Sequence, residues 1–387
     1  MRPYNRFYVP KFHLDSLIYS HYIRYDHLKE IILNEFSNTP EADCTHISLF
    51  IDIYSIIKPF YKRQDFAVDD KERYALASGI INMAAHYREY FRTRHSTKTD
   101  IYLISSFNSN KYLQRLCNTY KCGINFAMEE VSNYVIENIK VLNAIVPYLP
   151  NIYFRHYDVT TTSAAILDIM NYNISHGNNN PNIIISKDIL NYQLVTFQPV
   201  KTIIIRPKKI SVQKYEGIDT EERSYSINKY NLMATYLLEK SKDLIKANNS
   251  EIMNNRLKMV NQLNPELLSI LMAITNVPEY GLSSIIQMPS AIKILYRIFV
   301  EDRLALNQYN SDISYIIDLV KDYSKKQIDD MEIKQRFQVI DMIYLYNMMK
   351  SISMELYEKV DDLYNPKMVK DVNEKFFSDY PLDLNVL

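Results

Sequence analysis

Short β-branched runs alternate with longer stretches of helical periodicity through the first half of this chain, and then the β-branched runs stop. That arrangement admits few folds, because strands separated by helices pair in parallel and bury both faces under those helices. Residues 46–53 (HISLFIDI), 101–105, 151–154, 182–186 and 202–206 read as strands. Residues 70–94, 125–148 and 162–174 read as helices, the last opened by a Thr/Ser cluster suited to N-capping. From about residue 228 onward, 228–246, 265–275, 289–299, 311–323 and 332–360 are helical by apolar spacing, and Pro265 and Pro289 stand where a first-turn proline costs no hydrogen bond. The expectation is an α/β half, a parallel twisted sheet flanked by helices, packed against an α-helical C-terminal half.

Composition narrows the function classes. The chain has 387 residues, 47% of them hydrophobic, ample for a buried core. No apolar run approaches the roughly 20 residues that cross a bilayer, and residues 1–24 carry no signal-peptide core. A soluble protein of the cytoplasm, or of a virion, is expected, with no membrane partner. Cys44, Cys117 and Cys122 are too few for a disulfide framework and lack a second Cys/His pair at zinc spacing, so they read as reduced thiols. Lys+Arg and Asp+Glu balance at 45 each, so nucleic-acid binding would need a local patch. Five glycines leave little material for backbone phosphate cradles. The 33 Tyr with no Trp, together with abundant Ile, Asn and Lys, suit an A+T-rich genome such as many phages have.

In an open parallel sheet the functional site lies beyond the carboxyl ends of the strands. Asp52 ends the first run and Asp188 follows the fourth. Converging there, two carboxylates would suit Mg²⁺, a hard cation that takes oxygen ligands. As lone acids each would equally cap a turn or helix just after its strand.

The segment Ser186-Lys187-Asp188-Ile189-Leu190-Asn191-Tyr192-Gln193-Leu194 resembles the Ser-x-Asp-x-Asp stretch ending in Gln-Leu of the 5′-nuclease family, which includes flap endonucleases and phage 5′-3′ exonucleases. Its second Asp is here Leu190. The order of segments follows that PIN-like family over roughly residues 46–300. Asp52 matches the first metal-binding Asp, while the acid usual at the end of the next strand falls on Ser105 and Ser106. The acidic helix start falls on Thr162-Ser163-Ala164-Ala165, which holds no acid. Residues 265–299 resemble a degenerate helix-hairpin-helix. There the Gly-Asp segment reads NVPEYGLSSIIQ, with Glu279 its one acid, and Gln287-Met288-Pro289-Ser290 replaces the phosphate-gripping glycine hairpin.

The resemblance implies a PIN-like nuclease-fold domain over residues 1–225, with an arch-like insertion at about 107–145, and a helical domain over 226–387. It implies remnant metal positions at Asp52 and Asp188, with Asp158 or Asp168 as conceivable displaced ligands. Two-metal phosphodiester cleavage needs ions about 4 Å apart under several carboxylates, more than two clear acids supply. No cofactor is expected, and Mg²⁺ only if cleavage survives. The role implied is therefore a pseudo-nuclease, retained by a phage or similar replicon to bind single-stranded or branched DNA or to assemble with proteins of a replication, transcription or virion complex. An active, divergent Mg²⁺-dependent 5′-nuclease and a purely structural subunit are the alternatives. Candidate phosphate contacts are Arg88, Arg92 and Arg94, interleaved with rings in HYREYFRTRHSTK; Lys111, Arg115 and Lys121, at the place of the family's arch; and Arg206, Lys208 and Lys209. The first cluster reads equally as an amphipathic helix with its rings in the core and its arginines in solvent.

Overall fold

The structure, a computed structural model, describes residues 30–31, 34–35, 46–53, 74–95, 98–106, 113, 116–117, 133–157, 161–197, 199–207, 209–214, 217–222, 225–240, 250–302, 313–324 and 329–356. Strands β1 (His46–Asp52), β2 (Lys98–Ser106), β3 (Ile152–Tyr157), β4 (Asn182–Ile185) and β5 (Thr202–Arg206) are the runs expected from sequence. They pair in parallel in the order β3-β2-β1-β4-β5. The sheet is nevertheless mixed. After a hairpin of β6 (Lys209–Lys214) and β7 (Gly217–Glu222), the short β8 (Tyr225–Ile227) returns antiparallel along β5 and takes the outer place in the sheet.

Period-two alternation sorts the strand residues onto two apolar faces. Leu49, Ile51, Leu103, Ile183, Ile185 and Ile203 face one core, which is covered by α1 (Ala75–His95) and α2 (Asn133–Ile145). Phe50, Tyr102, Ile104, Ile184 and Ile204 face the other, covered by α3 (Thr162–Ser175) and the 3₁₀ segment Ile189–Thr196. Each isoleucine so enclosed contributes about 1.5–3 kcal/mol relative to exposure. An aromatic row crosses this second face: Phe50 stacks on Tyr102 at 4.8 Å and Tyr102 on Tyr153 at 5.0 Å. Helix α2 falls within the region expected as an arch-like insertion, yet Val135, Leu142 and Ile145 are buried in the first core. Most of residues 107–132 lies outside the described residues.

The second core continues without interruption into the helical half. There α4 (Leu232–Lys240), α5 (Ser250–Val260), α6 (Leu268–Ile274), α7 (Met288–Tyr296), α8 (Ile313–Ser324), α9 (Asp330–Ile340) and α10 (Met342–Leu356) follow. The single helix expected over 332–360 is two, because Asp341 is extended (φ −68°, ψ 121°) and both closes α9 and caps α10 through its bond from Tyr344 N at 2.9 Å. Pro265 and Pro289 do lie in the first turns of their segments. Among the described residues no helix is long and apolar enough to cross a membrane.

Candidate functional site

The register of the sheet decides what meets at its carboxyl edge. Ile51 lies opposite Ile185 on β4, so the next residues, Asp52 and Ser186, come level. Asp52 falls on the same face as Phe50, under the start of α3. That start is fixed by Thr161, whose side chain accepts from Ala164 N at 3.3 Å. This brings Thr162 over the strand end.

Asp52 is 1% exposed, and a carboxylate removed from water needs hydrogen-bond donors. Its Oδ2 accepts from Ser186 Oγ at 2.7 Å, from Thr162 Oγ1 at 3.3 Å and from Asn191 Nδ2 at 3.3 Å. Ser186 Oγ in turn accepts from Asn191 Nδ2 at 2.7 Å and from Asp188 N at 3.0 Å. Asp188 thus joins the same hydroxyl through its backbone. Its own carboxylate caps the 3₁₀ segment, accepting from Leu190 N at 3.0 Å, and also accepts from the Tyr280 hydroxyl. The capping role weighed for Asp188 from sequence is therefore what its Oδ1 performs. Leu190, at the place of the family's second acid, is fully buried in the apolar core.

No other described acid joins this edge. Asp168 on α3 pairs with Lys350 of α10 at 2.7 Å and accepts from the Tyr157 hydroxyl at 3.2 Å, so it ties two helices and a strand together. Glu279 pairs with Lys240 at 2.6 Å. Ser105 and Ser106 are buried at the end of β2, and Ala164 and Ala165 are buried in the second core. Asp158 lies outside the described residues. Among the described residues no three His, Cys, Asp or Glu side chains gather to hold a metal.

The donors around these acids decide what they can hold. A hard cation needs lone pairs turned toward it, whereas Asp52 Oδ2 is met by two O–H groups and an N–H, and Asp188 Oδ1 by an N–H and an O–H. Asn191 Oδ1 is buried without a hydrogen-bond partner among the described residues, one neutral acceptor beside one carboxylate. These residues do not fit a two-metal centre.

The basic residues divide. Arg88, expected to meet phosphates, is 8% exposed and donates to Pro150 O at 2.7 Å, and burial holds its pKa below the usual guanidinium value. Arg206, expected likewise, turns to the Tyr192 hydroxyl and Glu239, joining the end of β5 to α4. Both inward turns have one cause: a guanidinium at the rim of a core finds fixed acceptors within reach, and bonding them offsets its desolvation. Arg92 does face outward, with Glu89 as its partner at 2.8 Å. Lys187, between Ser186 and Asp188, is held down at about 8 by burial and, secondarily, by the Arg206 charge. Lys111, Arg115, Lys121 and Lys208, and the side chains of Arg94 and Lys209, lie outside the described residues.

Sequence reasoning did not find Thr162, Asn191 or Tyr280 as partners of the two acids. Asn191 carried a signal, standing one helical turn after Asp188 and so on the same side. Tyr280 carried none, since it arrives from 92 residues away.

No protein-family model matches the chain, and no curated protein matches it. Solved structures do. The bacteriophage T5 D15 protein co-crystallised with metal ions aligns with TM-score 0.44 at 12% identity, over 85% of this chain and 99% of that one. A substituted T5 flap endonuclease in a pseudo-enzyme–product complex with DNA and metal ions aligns with TM-score 0.41 at 12% identity, over 85% and 98%. A mutant T5 5′-exonuclease aligns with TM-score 0.37 at 13% identity, over 85% and 98%.

Proposed function

We propose that this chain is a catalytically degenerate 5′-nuclease-like protein, of phage or similar origin, that binds nucleic acid or helps assemble a replication, transcription or virion complex without cutting. The observation that carries the reading is the hydrogen-bonding of Asp52, whose Oδ2 is met by Ser186, Thr162 and Asn191, neutral donors at an edge where phosphodiester cleavage needs several carboxylates. In the region resembling a helix-hairpin-helix, Pro289 stands in the first turn of α7 and offers no N–H to a phosphate. Duplex grip there is accordingly weak in this reading.

A gel assay with a 5′-flap DNA in Mg²⁺ and in Mn²⁺ tests it. No cleavage is expected from the wild-type chain, and robust cleavage abolished by Asp188→Asn would overturn the proposal in favour of an active, divergent nuclease. A second reading, a structural subunit without nucleic-acid contact, is favoured by the inward turn of Arg88 and Arg206 and by the balanced charge. Fluorescence anisotropy with labelled single-stranded and flap DNA in about 50 mM salt separates the two, because even a few phosphate contacts give measurable binding there.

A further inference from the structure

The loop between α6 and α7 is held at many points for so short a segment. Val277 N donates to Leu282 O at 2.9 Å and Leu282 N to Val277 O at 3.2 Å, closing a turn in which Gly281 takes the left-handed conformation (φ 69°) that favours glycine. Glu279 is paired with Lys240 on α4. Ser283 O accepts from Arg336, which is itself buried in α9, and Ile286 N donates to Ile274 O at 2.9 Å. The apex of this braced loop is Tyr280, 5% exposed, with its hydroxyl on Asp188 Oδ1. From there hydrogen bonds run through Asp188 N to Ser186 Oγ and on to Asp52.

We propose that Tyr280 is a latch: its hydroxyl takes the Asp188 oxygen that a divalent cation would need, and it ties the helical half to the strand ends without metal. A buried hydroxyl is costly unless bonded, and Tyr280 meets that need on an acid of the strand ends, where a phenylalanine would fill the same space without touching it. The carboxylate makes the bond a charge-assisted one, of the stronger kind. The braces matter because a loop free to retreat would surrender that contact to any cation. The inference rests on the reading of the strand ends as no longer a metal centre, and extends it by naming what stands there instead.

The test uses the whole chain and needs no catalytic activity. Thermal unfolding is followed in EDTA and in millimolar Mg²⁺ for the wild type, Tyr280→Phe, Asp188→Asn and the double variant, with calorimetric titration of Mn²⁺ alongside. The wild-type midpoint should be the same in EDTA and in Mg²⁺. Each single variant should lower it by about 1–3 °C, and the double variant by less than the two shifts added. Mn²⁺ should give no heat with the wild type and weak binding with Tyr280→Phe. A Mg²⁺-raised wild-type midpoint, additive shifts, or a Tyr280→Phe variant that melts with the wild type would each overturn the latch. Should Tyr280→Phe fail to fold, Asp188→Asn carries the test, since its side chain can still cap Leu190 N: a lowered midpoint indifferent to Mg²⁺ supports the latch, and an unchanged one sinks it. Flap cleavage, by contrast, decides only whether the chain is a nuclease, so the two proposals fail separately.

Discussion

A serine hydroxyl has one proton and two lone pairs, and Ser186 uses all three, donating to Asp52 and accepting from Asn191 and from Asp188 N. Ser186→Ala therefore leaves a buried carboxylate and two N–H groups short of a partner at once. It should cost about 2–3 kcal/mol, read as a lower urea midpoint, because unmet buried polar groups keep their desolvation penalty. Lys187 beside it makes a prediction with a sign. Burial holds its folded pKa at about 8, below the ordinary 10.5. Between those values the folded state binds fewer protons than the unfolded one, so stability rises with pH across the window and the full penalty stands below pH 8. Lys187→Met should accordingly raise the urea midpoint at about pH 7 and have little effect near pH 11, where the wild-type lysine is mostly neutral in both states. An unchanged midpoint at neutral pH would show that its burial carries no such penalty. The offset from Ser186 to Asp188 was legible in the sequence, as was the place of Asp52 at a strand end. What each acid touches was not, because Thr162, Asn191 and Tyr280 reach them through folding.

Strands whose side chains are apolar on both faces announce themselves, which is why β1 to β5 were readable within a few residues. Ile183, Ile184 and Ile185 are buried in turn on opposite faces, so no polar alternation interrupts the run. The β6–β7 hairpin was invisible for the converse reason: KISVQK and GIDTEE are short, hold three apolar residues between them, Ile210, Val212 and Ile218, and are otherwise polar or charged apart from Gly217, too weak a pattern to read as a strand. Unread with it was β8, three residues long, and so the antiparallel edge of the sheet. The break at Asp341 also escaped periodicity, since the apolar spacing of α9 continues into α10 and only tertiary contact shows the interruption. Gln193 is that contact. Its Nε2 donates to Ile340 O at 2.9 Å and its Oε1 accepts from Met342 N at 3.1 Å, so one amide satisfies the backbone groups on either side of the break. Gln193→Ala should cost about 2 kcal/mol and speed hydrogen exchange at the Met342 amide, whereas Gln193→Glu should restore the acceptor to Met342 N but not the donor to Ile340 O. Equal exchange at that amide in wild type and Gln193→Ala would remove the clamp from the account of how the two halves are joined.

The molecule as a whole carries 45 positive and 45 negative side chains, so attraction to a polyanion comes only from where the cations stand. A sequence cannot tell a guanidinium that snorkels to solvent from one that turns inward to a carbonyl, and among the basic candidates whose side chains are described the outcome divides. Arg88 is spent on Pro150 O and Arg206 on Glu239, while Arg92 stands outward beside Glu89. Binding to single-stranded DNA should therefore be weak, with log K falling against log salt at a slope of about −1 to −3, the mark of few neutralised phosphates. Each residue then has its own signature. Arg92→Ala should make the slope shallower by about 0.7, the share of one phosphate on a single strand, and leave the unfolding midpoint nearly where it was, since an exposed ion pair contributes little. Arg88→Ala should do the reverse, lowering the unfolding midpoint because the packing of the buried Arg88 side chain and its bond to Pro150 O are both lost, with no change in slope once folded protein is compared at equal concentration. Anisotropy at three or four salt concentrations, paired with melting curves on the same preparations, reads both quantities. A slope that moved with Arg88 and not with Arg92 would mean that nucleic acid meets a surface other than the outward face of α1.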